Sequence, residues 1–258
     1  MTENTFTGKV VIVTGGGSGI GAATAHRFAA GGATVVIIGR TKAKLDQVVS
    51  QAPTGSTLIA RVGDVSDEEG ITRLVNAVAD DRGRLDTLVN NAATVEPLGT
   101  VSDLDAAGWR RVMSTDVDGV FYASKAALPH LRAVGGSIAN VGSASGLGGD
   151  WGLAAYDAAK GAVTNLTNAM ALDHGAEGVR VNAVHPSMIS TDMTAGFLQS
   201  DEIVAAALNR VPMRRFGEPA EAASVITFLA SSAASYVNGA HIRADGGLGA
   251  SNGNPHLA

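Results

Sequence analysis

Seven short runs of β-branched and aliphatic residues, separated by segments of helical character, constrain this chain more than any other feature. They are Lys9–Thr14, Thr34–Ile38, Leu58–Val62, Leu85–Val89, Ser137–Val141, Val179–Val184 and Ala240–Arg243. Most are apolar along nearly their whole length rather than at alternate positions. A strand of that kind is buried on both faces, as in a parallel sheet covered by helices. Helical patterns follow at Ala22–Ala30, Thr41–Ser50, Asp67–Asp81, Leu104–Leu131, Leu153–His174 and Pro219–Ser231. Parallel strands need long crossovers, and these helices supply them. The alternation runs from end to end with no linker, repeat or low-complexity tract. The expectation is α/β: a single-domain Rossmann fold over residues 1–258, with a doubly wound, seven-stranded parallel sheet.

Composition narrows the function classes. With 45% hydrophobic and 17% charged residues, the chain is too apolar for disorder. A net charge of −5 offers no basic surface for nucleic acid or anionic lipid. The absence of cysteine excludes disulfides, thiolate catalysis and thiolate-bound metals. The six histidines form no pair at ligand spacing on one helix, so no metal is expected, and His185 reads as a packed strand-end residue. No apolar run reaches the roughly 18–20 residues of a membrane span. The N-terminus lacks the basic-then-apolar order of a signal peptide. A cytoplasmic protein is expected.

Two segments stand apart. Ser187–Phe216 interrupts the alternation and carries Met188, Met193, Phe197, Leu198, Met213 and Phe216. Connections of this length are usually binding loops or conceal short helices; the segment reads as a substrate lid, about 187–216. The polar tail, about 249–258, reads as loose.

The 33 glycines gather after the strands. Gly15-Gly16-Gly17-Ser18-Gly19-Ile20-Gly21 lies between the first strand and its helix. Glycines permit a tight turn and let phosphate approach the backbone, and the helix N-terminus offers free N–H groups. The spacing G-x-G-x-x-G does not fit from Gly15 or Gly16. The pattern is T-G-x-x-x-G-x-G, on Thr14, Gly15, Gly19 and Gly21. Further along stand Asp64-Val65, Asn90-Asn91-Ala92-Ala93, Ser143, Tyr156-x-x-x-Lys160, His185-Pro186-Ser187-Met188-Ile189-Ser190-Thr191 and Ala244-Asp245-Gly246-Gly247. In that order and spacing, over roughly residues 7–248, the sequence strongly resembles the short-chain dehydrogenase/reductase family.

The resemblance implies a dinucleotide site. Gly15, Ser18, Gly19, Ile20 and Gly21 would cradle the pyrophosphate, and Asp64 and Val65 would meet the adenine. Asn91, Ala92, Tyr156, Lys160, Pro186, Ile189 and Thr191 would be further cofactor contacts. After the second strand an acid binds the ribose hydroxyls of NAD and repels a 2′-phosphate. Gly39 holds that place, and Arg40 follows where a phosphate would gain a charge-assisted partner. NADP(H) is favoured over NAD(H). Ser18 pulls the other way, because many NADP-dependent members carry a basic residue there.

Tyr156 and Lys160 are one helical turn apart and share a face. Hydride transfer at a carbonyl carbon must be matched by proton transfer at its oxygen. A tyrosine ordinarily ionises near 10 and is a poor base at neutral pH; a nearby ammonium favours the phenolate. The resemblance makes Tyr156 the acid/base and Lys160 its partner and a holder of the nicotinamide ribose. It gives Ser143 the substrate oxygen. The family's fourth catalytic residue is an asparagine that kinks its helix and holds a water linking the lysine to solvent. Here Trp109-x-x-Val112-x-x-Thr115-Asp116-x-x-Gly119-Val120-Phe121 places Asp116 in its position.

The enzyme expected is therefore an NADP(H)-dependent oxidoreductase of a secondary alcohol or ketone. The alternatives are an NAD(H)-dependent alcohol dehydrogenase and a nucleotide-binding sensor or scaffold that has lost catalysis. Candidate substrate contacts are Ser145, Asp150, Trp151, Met188 and Phe197, a partly apolar set. A homotetramer is expected, because Val163, Leu166, Met170 and Leu172 cannot all face one sheet at 3.6 residues per turn.

Overall fold

The computed structural model describes residues 5–196 and 199–252. Its seven parallel strands are β1 (Val10–Thr14), β2 (Thr34–Gly39), β3 (Thr57–Val62), β4 (Thr87–Asn90), β5 (Ser137–Val141), β6 (Arg180–Pro186) and β7 (His241–Ala244). Their order in the sheet is β3-β2-β1-β4-β5-β6-β7. The order reverses between β1 and β4, and a cleft opens at the carboxyl ends of the strands at such a switch point.

The strands serve two cores, because successive side chains point to opposite sides. Val10 and Ile12 of β1, Val36 and Ile38 of β2, Leu88 of β4 and Ile138 of β5 pack on one side. There they meet α3 (Glu68–Arg82), α5 (Gly119–Arg132) and α6 (Ala154–Gly175) through Val75, Ala127, Leu131 and Met170. Val11, Val13, Val35, Ile37, Val89 and Val184 pack on the other. Their partners are Ala25 and Phe28 of α1 (Gly19–Ala30), Leu45 and Val48 of α2 (Lys42–Ser50), and Ile226 and Leu229 of α8 (Pro219–Ala230).

Helix ends follow the sequence. Asp67 caps α3 by accepting from the Gly70 N–H, and Gly83 closes it at a φ of 70°. Pro219 opens α8 behind a Glu218–Glu221 capping box.

Two expectations change. The pattern Leu104–Leu131 is not one helix. It is α4 (Ala106–Met113), a π-helical turn over Ser114–Asp118, and α5. The π turn inserts a residue into the helical register, which a 3.6-residue periodicity cannot reveal. The fourth strand begins at Thr87, not Leu85, because Asp86 accepts from the Val10 N–H through its carboxylate while Arg84 and Lys9 pair with it. The stretch 187–216 holds a helix, α7 (Asp201–Arg210), none of whose residues is buried. Of its apolar residues, Phe197 and Leu198 lie outside the described residues. Gly249 is tied down by donating its N–H to Asp245 at 2.9 Å; 253–258 of the tail lie outside the described residues.

Phe28 is fully buried and meets the edge of Phe6, with ring centroids 4.7 Å apart. Phe28→Ala should therefore lower unfolding stability by about 3–5 kcal/mol, the usual cost of such a cavity. Denaturant titration followed by circular dichroism measures it.

Candidate active site

The cleft at the switch point is a cavity of about 280 Å³. Its floor begins with the glycine loop. Gly15 and Gly19 adopt left-handed backbone, with φ of 64° and 52°. Gly21 sits beneath the loop rather than in the cavity, where a Cβ would stand 2.3 Å from the Gly15 carbonyl oxygen. Ser18 heads α1 without a side-chain cap, and the first turn carries no acid. Unblocked N–H groups and a positive dipole end thus face the cavity, a fit for a pyrophosphate.

Asn91 secures this loop. Its Nδ2 donates to the carbonyls of Thr14 at 3.0 Å and Gly15 at 3.1 Å. The Thr14 hydroxyl accepts from the N–H groups of Asn91 and Ala92 and donates to Val89. So the Asn91 amide nitrogen is committed to the protein. Asp64 follows β3 in a local turn, accepting from Ser66 N–H and Oγ. Gly39, Arg40, Asp64, Val65, Asn91 and Ala92 line the cleft, together with Ile20. No acid follows β2. Pro186, Ile189 and Thr191 line the far side, and Thr191 crosses over the loop, so that a Cβ on Gly19 would lie 3.1 Å from its methyl group.

At the inner end stand Ser143, Tyr156 and Lys160, from the end of β5 and the first turns of α6. The Lys160 Nζ lies 5.4 Å from the centre of the Tyr156 ring and donates to the Val141 carbonyl at 3.3 Å. Its carboxylate partner is Asp116 of the π turn, with Oδ2 at 3.2 Å. Both side chains are buried, that of Asp116 completely. The Asp116 Oδ1 accepts from the Thr94 N–H at 2.7 Å, while Oδ2 receives no aligned hydrogen bond. Burial pushes the Asp116 carboxyl up, opposed by Lys160 and the Thr94 N–H. Burial alone would push Lys160 down; the Asp116 carboxylate and the Tyr156 oxygen outweigh it and hold the ammonium above its ordinary range.

Ser143 donates to Ser145 at 3.1 Å, and Ser145 donates to Asp150 at 2.5 Å. Ser145 is buried, whereas Asp150 is exposed and Trp151 stands wholly in solvent. Neither Asp150 nor Trp151 lines the cleft, and Met188 faces a neighbouring hollow with Met213. Phe197 lies outside the described residues. Thr115, Gly142 and Asp192 line the cleft without having been singled out in the sequence, and Met193, noted there only as an apolar residue of the 187–216 segment, lines it too. Among the described residues, no group of three or more histidine or acidic side chains could hold a metal ion, and no helix is long and apolar enough to cross a membrane.

A glycine cradle at a switch point, joined to a buried Lys beside Tyr and Ser, defines a dinucleotide-dependent oxidoreductase. The chain belongs to the short-chain dehydrogenase/reductase family: a family model described as enoyl-(acyl carrier protein) reductase matches residues 15–249. It is an NAD(P)-dependent enzyme of that family. It is 48% identical to meso-2,3-butanediol dehydrogenase of Serratia marcescens, over 98% of this chain and 99% of that one. Its fold matches the crystal structure of levodione reductase at a TM-score of 0.91 and 34% identity, covering 95% and 99% of the two chains. A putative NAD(P)-dependent gluconate 5-dehydrogenase from Beutenbergia cavernae, with NADP bound at low occupancy, matches at 0.88 and 36% identity, covering 95% and 98%.

Asp116→Asn should retain activity within about tenfold, or roughly 1.4 kcal/mol. Without the carboxylate, Lys160 loses the attraction that holds it up and gives up its proton at lower pH. The alkaline limb of the pH–rate profile should then move toward acid. Asp116→Leu also strands the buried ammonium, a loss of about 3–5 kcal/mol of stability. Profiles and melting curves of the three proteins test both statements; a fully active leucine variant with an unchanged profile would exclude Asp116 from proton transfer.

Proposed function

We propose that this protein transfers a hydride between NADP(H) and a secondary alcohol or the corresponding ketone. The observation that carries the reading is one cleft with Ser143, Tyr156 and Lys160 at its inner end and Arg40, with no acid before it, at its outer end. The bound dinucleotide supplies the hydride acceptor or donor. The remaining chemistry falls to the chain. Tyr156 gives a proton to the carbonyl oxygen in reduction and takes one from the hydroxyl in oxidation. Ser143 turns its hydroxyl from Ser145 to the substrate oxygen and holds it within reach of Tyr156. Lys160 stabilises the phenolate and offers N–H groups to the ribose hydroxyls. Asp116 keeps Lys160 charged.

The names of the relatives, a butanediol dehydrogenase and a putative gluconate 5-dehydrogenase, support a small hydroxyl-bearing substrate. The segment 187–216 serves as its lid, and the NADP-bound neighbour supports the phosphorylated cofactor. Ser18, where a cation would help a 2′-phosphate, favours the second reading, an NAD(H)-dependent dehydrogenase. Trp109 of α4, Phe121 of α5 and Leu172 of α6 keep 40%, 48% and 83% of their surface exposed and support a homotetramer through these helices. We place the enzyme in the cytoplasm.

Tyr156→Phe should bind cofactor normally and lose turnover by about 10²–10⁴-fold. Steady-state kinetics with a panel of secondary alcohols and ketones, alongside cofactor titration, checks this. Near-normal kcat would exclude the role. Cofactor binding without turnover of any substrate by the wild-type chain would favour a sensor instead.

Arg40→Ala should reduce kcat/KM for NADPH by about 10–150-fold, the worth of one hydrogen bond to a charged group. Gly39→Asp should turn preference toward NADH by adding repulsion against the phosphate. A wild-type preference for NADH, or an Arg40→Ala variant with unchanged NADPH use, would overturn the assignment.

A further inference from the structure

Two histidines that the mechanism leaves unused lie directly behind Ser143. His185, at the end of β6, is fully buried. Its Nδ1 is 2.9 Å from the Ser143 carbonyl oxygen, and its Nε2 is 2.9 Å from Nδ1 of His241 in β7. The His241 Nε2 is 2.8 Å from the side-chain oxygen Oδ1 of Asn168 in α6. The ring of His185 packs so tightly on β5 that a Cβ at Gly142 would lie 2.6 Å from its Cε1 and Nδ1. Only glycine leaves room for it.

Asn168 is two further turns along the α6 face that carries Tyr156 and Lys160. That face is anchored to the Val141–Gly146 segment at successive turns. Lys160 donates to the Val141 carbonyl, and Thr164 donates to the Gly146 carbonyl at 3.3 Å. The third anchor is the chain from Asn168 through His241 and His185 to Ser143. We propose that His185 and His241 are positioning residues, which fix the distance between Ser143 and the helix bearing Tyr156 by a one-way chain of hydrogen bonds.

The direction of that chain follows from the inventory of donors. A carbonyl only accepts, so the His185 Nδ1 carries a hydrogen. Its Nε2 then accepts, and the His241 Nδ1 donates. A neutral His241 accepts at Nε2, so the chain requires the Asn168 amide to be turned over, with its nitrogen in the place now given to Oδ1; the two ends of an amide are assigned from such partners. Every bond is made with both rings neutral. Burial lowers the pKa of both histidines, and the His241 ring, Arg243 and Lys160 nearby lower His185 further. With the Ser143 carbonyl at one end, these partners hold both rings in the Nδ1–H form, the tautomer less favoured by a free histidine side chain. The role in catalysis rests on the reading of Ser143 given above; the chain itself does not.

Histidine ¹⁵N–¹H correlation spectra of the full-length protein at pH 7 read the tautomers directly. Both rings should be neutral and protonated at Nδ1, and an Nε2–H form or a doubly protonated ring overturns the chain. Kinetics test its consequence. His241→Phe keeps a ring of similar size without a donor, and should lower kcat about 10–100-fold, as expected of a displaced catalytic group. The KM for cofactor should stay within about twofold, because the glycine cradle is untouched. His241→Gln keeps a donor to His185 and should recover most of the lost kcat. Equal losses in the two variants, or loss only through KM, overturn the positioning role. Ser143→Ala separates the two ideas. If it stays active, the reading of Ser143 has failed; if it is inactive while His241→Phe turns over normally, only the positioning proposal has. Should His241→Phe not fold, the spectra of the wild-type chain still decide.

Discussion

A buried ammonium organises this molecule. Lys160 has almost no contact with solvent, so its charge must be met by the protein or driven off. The Val141 carbonyl from the sheet, the Asp116 carboxylate from the π turn and the Tyr156 ring on its own helix meet it. These partners come from three parts of the chain separated by crossovers. Satisfying the ammonium therefore fixes where β5, the α4–α5 rod and α6 stand. Catalytic geometry and folding geometry are here the same requirement. An ion pair so deeply enclosed need not add to stability compared with an apolar replacement; its cost appears when one partner is removed.

Much of the cleft is shaped by close approach. A Cβ on Gly146 would lie 2.6 Å from the Lys160 carbonyl oxygen, and one on Gly119 would lie 2.7 Å from Val65. The loop after β5 thus stands nearer to the catalytic helix, and the α5 terminus nearer to the segment after β3, than a side chain would allow. The glycine content is in part the record of these contacts, beyond its service to the phosphate loop.

This explains which parts could be read in advance. Strands such as Val10–Thr14 announce themselves because both faces are apolar, and Gly15, Gly19 and Gly21 announce the loop because their spacing is rare. Tyr156 and Lys160 are legible because one helical turn brings them together. Asn91 was readable as a cleft residue but not as the clasp of Thr14 and Gly15, since that role lies in hydrogen bonds across strands. The His185–His241–Asn168 chain joins residues 56 and 73 positions apart, and no local pattern relates them. Trp151 misled because an aromatic beside a glycine-rich turn looks like a ligand contact, whereas the turn carries it into solvent.

The π turn also solves a problem of phase. Each residue of an α-helix advances the direction of its side chain by about 100°. A continuous helix over 106–132 would present one stripe to one neighbour. The extra residue in Ser114–Asp118 resets that stripe. Val112 of α4 joins Ala155 and Ala159 of α6, while Ala123, Ala127 and Leu131 of α5 address the sheet core. A single rod thereby serves two partners at different azimuths, and the break between them falls where Asp116 turns inward. Removing one residue from that turn would restore a regular helix and rotate one of its halves away from its partner.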